Sequence, residues 1–131
     1  MKKSLEWRWW LAVGVFAVVI FIGAVVPVAE GVSVPYLDKA VHGGEYLAFA
    51  WLLVHAIRAS RVESSESRQY AIWVWIYATS YGLLMEAIQL LIPWRSGDLA
   101  DALANALGAA AGVWVGRRLP RHPDATLPAR Q

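Results

Sequence analysis

Between Trp9 and Ala29 the chain carries no charged side chain, and no other feature narrows its possible folds as much. A helix crosses the ~30 Å hydrocarbon layer of a bilayer with roughly 20 residues, because it rises ~1.5 Å per residue. The run is that long, and it reads as a membrane span. Lys2 and Lys3 precede it and Ala29 sits near its end, so a secretory signal is the competing reading. Two features count against that. The run is longer than the short apolar region of a signal, and Pro27 stands where cleavage three positions later would want a small residue.

Three further segments have the same character: Leu37–Ile57, Tyr70–Trp94 and Leu99–Gly116. The third span contains one charge, Glu86, and the fourth only Asp101 near its start. The second is the most polar, since Asp38, Lys39, His42 and Glu45 crowd its first half, but Tyr46 to Ile57 is apolar apart from His55. The composition agrees: 58% hydrophobic and 17% charged is too apolar for an ordinary soluble domain of this size. Nothing between Trp9 and Gly116 is long or polar enough to separate two folded units. The expected architecture is therefore all-α, a single integral membrane four-helix bundle covering residues 1–131. Residues 117–131, rich in Pro and Arg, read as a disordered basic tail.

Cationic residues set the direction. Of the 12 Lys and Arg residues, all but two fall before the first span (Lys2, Lys3, Arg8), between the second and third (Arg58, Arg61, Arg68) or after the fourth (Arg117, Arg118, Arg121, Arg130). Positive charge near helix ends resists translocation, so the N-terminus, the middle loop and the C-terminus are expected in the cytoplasm, with the chain in the cytoplasmic (inner) membrane. Trp7, Trp9, Trp10, Trp73 and Trp114 at one set of helix ends, with Tyr36 and Trp94 at the other, suit rings anchored at both interfaces.

With that orientation the polar interruptions lie at one depth, in the outer leaflet. Spacings of three and four align Asp38, His42, Glu45, Tyr46 and Phe49 on the second span. They align Gly82, Glu86, Gln89 and Pro93 on the third, and Asp101, Asn105, Gly108, Gly112 and Gly116 on the fourth, with Asp98 one turn above. Ionisable groups facing lipid cost several kcal/mol, about 2.5–3.5 on insertion scales. These faces should therefore converge inside the bundle. The glycine repeat of the fourth span is read as helix packing, since small residues four apart let a neighbouring helix approach closely. The same stripe is a candidate surface for self-association.

Asp38-Lys39-Ala40-Val41-His42, Glu45-Tyr46, Glu86-Ala87-Ile88-Gln89, Pro93-Trp94-Arg95-Ser96-Gly97-Asp98, and Asp101 with Asn105 and Gly108 closely resemble the VanZ-like membrane protein family in order and spacing. The resemblance covers about Leu37 to Gly112. Many relatives carry an acidic residue where Met85 stands, so chemistry requiring paired carboxylates at that point is not implied here. The name-giving member is associated with resistance to the glycopeptide teicoplanin. The resemblance thus implies a multi-pass envelope protein and names no reaction.

Three chemistries fit the converging residues. The first is recognition of a lipid-linked cell-wall precursor or lipoglycopeptide, with Asp38, Lys39, His42, Glu45, Tyr46, Glu86, Gln89, Arg95, Asp98, Asp101 and Asn105 as the ligand-binding set. Lys39 and Arg95 would hold an anionic headgroup, Arg95 through its planar fork; the plainer alternative pairs Arg95 with Asp98 or Asp101. The second is a membrane-embedded enzyme working by acid and base chemistry through Glu86 and His42. The third is a hard cation such as Mg²⁺ or Ca²⁺, for His42 is the one nitrogen ligand at the right depth. No metal or cofactor is expected, and no nucleic-acid partner. Cysteine is absent, which excludes disulfides, thiolate metal sites and cysteine nucleophiles. His55 reads as an interfacial side chain, and His122 belongs to the tail.

Overall fold

A computed structural model describes residues 2–27, 37–60 and 68–119. The described residues form four helices and no strand: α1 (Lys2–Val25), α2 (Leu37–Ala59), α3 (Arg68–Gln89) and α4 (Leu99–Arg118). Three of them, at Glu6–Val25, Arg68–Gln89 and Leu99–Arg118, are long and apolar enough to cross a membrane. α2 is long enough at 23 residues, but the charges of its first half keep it below the same apolarity.

Two helices end short of expectation, each for a backbone reason, while α1 starts earlier, at Lys2, and α4 runs on to Arg118. Arg117 and Arg118 of the expected tail are therefore helical, and residues 120–131 of it lie outside the described residues. α1 stops at Val25, short of the expected Ala29, whose own position lies outside the described residues. Pro27 accounts for this, because the residue before a proline is pushed out of the helical region. α3 stops at Gln89, five residues before the expected Trp94. Pro93 cannot donate a backbone N–H, and its ring would strike the carbonyl four residues earlier, that of Gln89. The chain instead tightens into turns in which the N–H groups of Leu91, Ile92 and Arg95 donate to Ile88, Gln89 and Ile92. Pro93 therefore leaves the helical stripe it was expected to share with Glu86.

α2 and α4 form the closest pair, running side by side in the same direction. A Cβ on Gly108 would fall inside the backbone of Gly43, and one on Gly112 inside the carbonyl of Leu47. A Cβ on Gly116 would meet Val54 Cβ at 3.0 Å. The glycine stripe is thus occupied within the chain by α2. Small residues are needed there because helix association in lipid depends on close backbone contact. Arg58, in the last turn of α2, donates to the carbonyls of Gly116, Arg117 and Leu119, closing the C-terminal end of α4.

The core between α2, α3 and α4 is filled by Tyr46, Phe49, Leu53 and Val54 together with Val74, Ala78 and Ala109. Phe49 stacks edgewise on Tyr46 (centroids 6.2 Å apart) and tilts onto Tyr81 (5.4 Å). α1 packs on the outside of α2 and α3, burying Val13, Ile20 and Ala24 while Leu11, Val15, Val18, Val19 and Ile22 stay exposed. Such a face is far too apolar for water and suits acyl chains.

Candidate functional site

The N-terminal ends of α2 and α4 meet the C-terminal end of α3, and this junction gathers the polar residues. Lys39 Nζ stands at its mouth, 2.9 Å from Asp101 Oδ1, 3.1 Å from Asp98 Oδ2 and 3.2 Å from Asp38 Oδ2. An ammonium has three donors, and here each has a carboxylate to meet. The lysine thereby ties the start of α2 to the start of α4. Asp98 is also the N-cap of α4: its Oδ1 accepts from the Ala100 N–H at 2.9 Å. That cap bond first, and the Lys39 ammonium second, hold its carboxyl below the ordinary value.

Beneath this mouth lies Glu86, 7% exposed. Its Oε2 accepts the backbone N–H of Asp98 at 3.0 Å, so the carboxylate anchors the turn that leads into α4. Gly97 makes this possible, since a Cβ there would come within 2.8 Å of the Glu86 carbonyl. The other oxygen, Oε1, has no hydrogen-bond partner among the described residues. It faces His42 Nδ1 at 3.9 Å, while His42 Nε2 faces Asp101 Oδ2 at 4.0 Å. The imidazole therefore stands between two buried carboxylates, too far from either for a direct hydrogen bond.

Deeper still are Asn105 and Tyr46, each 1% exposed. Both meet Gly82, where an added Cβ would sit 3.1 Å from Asn105 Cβ and Nδ2 and from Tyr46 Cε1. Asn105 Oδ1 and Nδ2 and the Tyr46 hydroxyl have no hydrogen-bond partner among the described residues. Buried polar atoms without partners are costly, and here they cluster beneath a carboxylate that also has a free oxygen. Glu45 is half-buried one turn from His42 and makes no hydrogen bond or ion pair among the described residues.

Two of the expected ligand residues turn elsewhere. Arg95 Nη2 donates to the carbonyl of Gly23, and Gln89 Nε2 donates to that of Ala24 at 3.4 Å. Trp94 Nε1 completes the set on Val25 at 3.0 Å. The last carbonyls of α1 have no partners within their own helix, and these three side chains supply them. Arg95 thus neither pairs with Asp98 or Asp101 nor joins Lys39. Among the described residues no group of three or more His, Asp or Glu side chains is arranged to hold a metal ion. Within the mouth the Lys39 ammonium takes the place of a cation.

The sequence reading gave no role to Gly97, quoted only within the family motif, or to Gly43, which bring the backbone against Glu86 and Gly108. The Ser96-Gly97-Asp98 run is a turn signal that could have found the first. His55 sits at the opposite end of α2, stacked between Trp9 and Trp51 (5.0 and 4.2 Å) with Nδ1 on the Trp51 carbonyl. His122 lies outside the described residues.

The VanZ/LLP1 family profile matches residues 6–119, from the first span to the end of α4. The chain belongs to the VanZ family. No curated protein and no solved structure matches it. As a VanZ-family membrane protein, it places the junction of α2, α3 and α4 well inside the matched region, together with all the residues that form it.

Proposed function

We propose that this VanZ-family protein recognises the polar headgroup of an amphipathic envelope molecule, a lipid-linked cell-wall precursor or a lipoglycopeptide, and so contributes to envelope integrity or to glycopeptide (teicoplanin) resistance. The observation that carries the reading is the unpaired Oε1 of buried Glu86, facing His42 and flanked by Asp101. The site is rich in acceptors. A ligand that fits it brings donors, as the hydroxyl or amine groups of a sugar headgroup do, and carboxylates bind these with charge-assisted strength. A phosphate fits less well, because the Lys39 donors already meet three carboxylates and Arg95 is turned to Gly23. The Lys and Arg distribution supports placing this end at the outer face of the cytoplasmic membrane.

The test is binding of teicoplanin and of a lipid-linked disaccharide–peptide precursor to the protein in nanodiscs, wild type against Glu86→Gln. The amide keeps an acceptor for the Asp98 N–H while removing the free carboxylate oxygen. Binding weakened by about tenfold, ~1.4 kcal/mol, is expected; equal affinity in the two proteins sinks the reading.

A second reading, acid and base catalysis on a lipid-linked substrate, is favoured by one observation, the imidazole set between Glu86 and Asp101. It requires turnover of such a substrate by pure protein that His42→Ala abolishes. Binding without turnover removes it.

A further inference from the structure

The opposite end of the bundle holds a second, unlike feature. Near the polar site α1 and α3 are tied together, by the Tyr81 hydroxyl on the Ala17 carbonyl (2.8 Å) and by the three side chains that cap α1. Toward the start of both helices a gap of about 400 Å³ opens between them. Trp10 and Val13 of α1 form one wall, Tyr70 and Trp73 of α3 the other, and Leu53 and Ile57 of α2 the floor. This volume lies within the range of small-molecule sites, which are concave and mostly apolar.

We infer that this groove holds an acyl chain of an anionic membrane phospholipid. Three observations on the molecule support that occupant. The lining is mostly carbon: Trp10 Nε1 already donates to Ser60 Oγ at 2.9 Å and the Tyr70 hydroxyl to the Val54 carbonyl at 3.2 Å, and the remaining polar tips belong to Trp73 and Tyr77, both exposed residues. The flanking helices α1 and α3 are both apolar enough to span a bilayer, so what reaches their side is lipid. The charge at this end is complementary to an anionic headgroup: among the described side chains here, Arg8, Arg68 and Arg118 outnumber the acid beside them, Glu6. Basic residues beside a span attract anionic lipid electrostatically. The groove lies at the other end of the bundle from Glu86 and His42 and does not rest on the function proposed for them.

The experiment uses the full chain in phosphatidylcholine nanodiscs containing phosphatidylglycerol with a photoactivatable diazirine in its acyl chain. Cross-links are expected on Val13, Leu53, Ile57 and Val74 well above those on Leu103 and Leu107, which expose an apolar face of α4 to lipid. Unlabelled phosphatidylglycerol should compete and phosphatidylcholine should not. Val13→Trp, which fills the groove, should lower lipid retained in native mass spectra by about tenfold, while Leu103→Trp leaves it unchanged. Equal labelling of the α4 face, equal competition by phosphatidylcholine, or cross-links that run from chain to chain would each overturn the inference. The labelling map on the unaltered protein decides the matter even if Val13→Trp fails to fold.

Discussion

Glu86 on α3 accepts the backbone N–H of Asp98, the residue that caps α4, across 3.0 Å. One side chain thereby ties the last turn of α3 to the start of α4, and it leaves its second oxygen toward His42. One oxygen of the carboxylate is thus structural, and the other has no hydrogen-bond partner among the described residues.

That division separates two substitutions. Glu86→Ala leaves the Asp98 N–H without its acceptor and is expected to destabilise the protein by about 1–2 kcal/mol. Glu86→Gln keeps an acceptor and should unfold close to the wild-type temperature. Thermal unfolding in detergent micelles compares them, and equal losses in both would mean that the hydrogen bond to Asp98 is not what matters.

The glycines of α4 should not behave alike. Gly108→Ala and Gly112→Ala drive a methyl into the backbone of Gly43 and Leu47, which cannot rotate away. About 3 kcal/mol of lost stability is expected for each, the upper end of ordinary overpacking. Gly116→Ala meets the Val54 side chain at 3.0 Å and should cost less. Gly14→Ala on α1 has nothing within 4 Å and should gain about 0.5–1 kcal/mol from lower chain entropy. The order of the four unfolding temperatures is the measurement.

Lys39 gathers three carboxylates, and its removal should leave them to repel one another. Lys39→Ala is expected to lower the unfolding temperature and to make it responsive to millimolar Mg²⁺ or Ca²⁺, hard cations that suit carboxylate oxygens. The wild type, whose ammonium already occupies that position, should show little response. Indifference of the variant to both ions would show that the carboxylates move apart once the lysine is gone.

Acid should loosen the same junction. Asp98 has a folded-state pKa held below its ordinary 3.8, first by the Ala100 N–H and then by Lys39. A carboxylate lowered in this way contributes stability that is fully present above 3.8 and is lost as the pH falls below it toward the folded-state value. Unfolding temperature should therefore hold from neutral pH to the ordinary carboxylate range and drop beneath it. Asp98→Asn, which can still cap α4, should show a smaller drop.

Arg95 should affect stability and leave recognition alone. Its removal by Arg95→Ala takes one donor from the end of α1, where a cation also suits the helix dipole, and about 0.5–1 kcal/mol is expected to be lost. Headgroup binding by the nanodisc-embedded variant should match the wild type. Weakened binding would return Arg95 to the ligand-facing set.

The helices were legible because partition into lipid depends on local composition. The uncharged run after Trp9 and the sparsely charged run after Tyr70 mark spans wherever they lie in the fold. The side-chain spacings of Asp38 and His42, or of Asp101 and Asn105, were legible because helical periodicity assigns faces from residue numbers alone. What only the tertiary structure decided is which partner each long polar side chain finds. Lys39 and Arg95 look equivalent in the sequence, two cations beside the same spans, yet one closes on three carboxylates and the other caps α1. The difference arises because α3 ends at Gln89 and the turns after it carry Trp94 and Arg95 toward the carbonyls of Gly23 and Val25. A flexible side chain takes the unpaired group within its reach, and that reach is set by helix ends and packing, which no spacing rule contains.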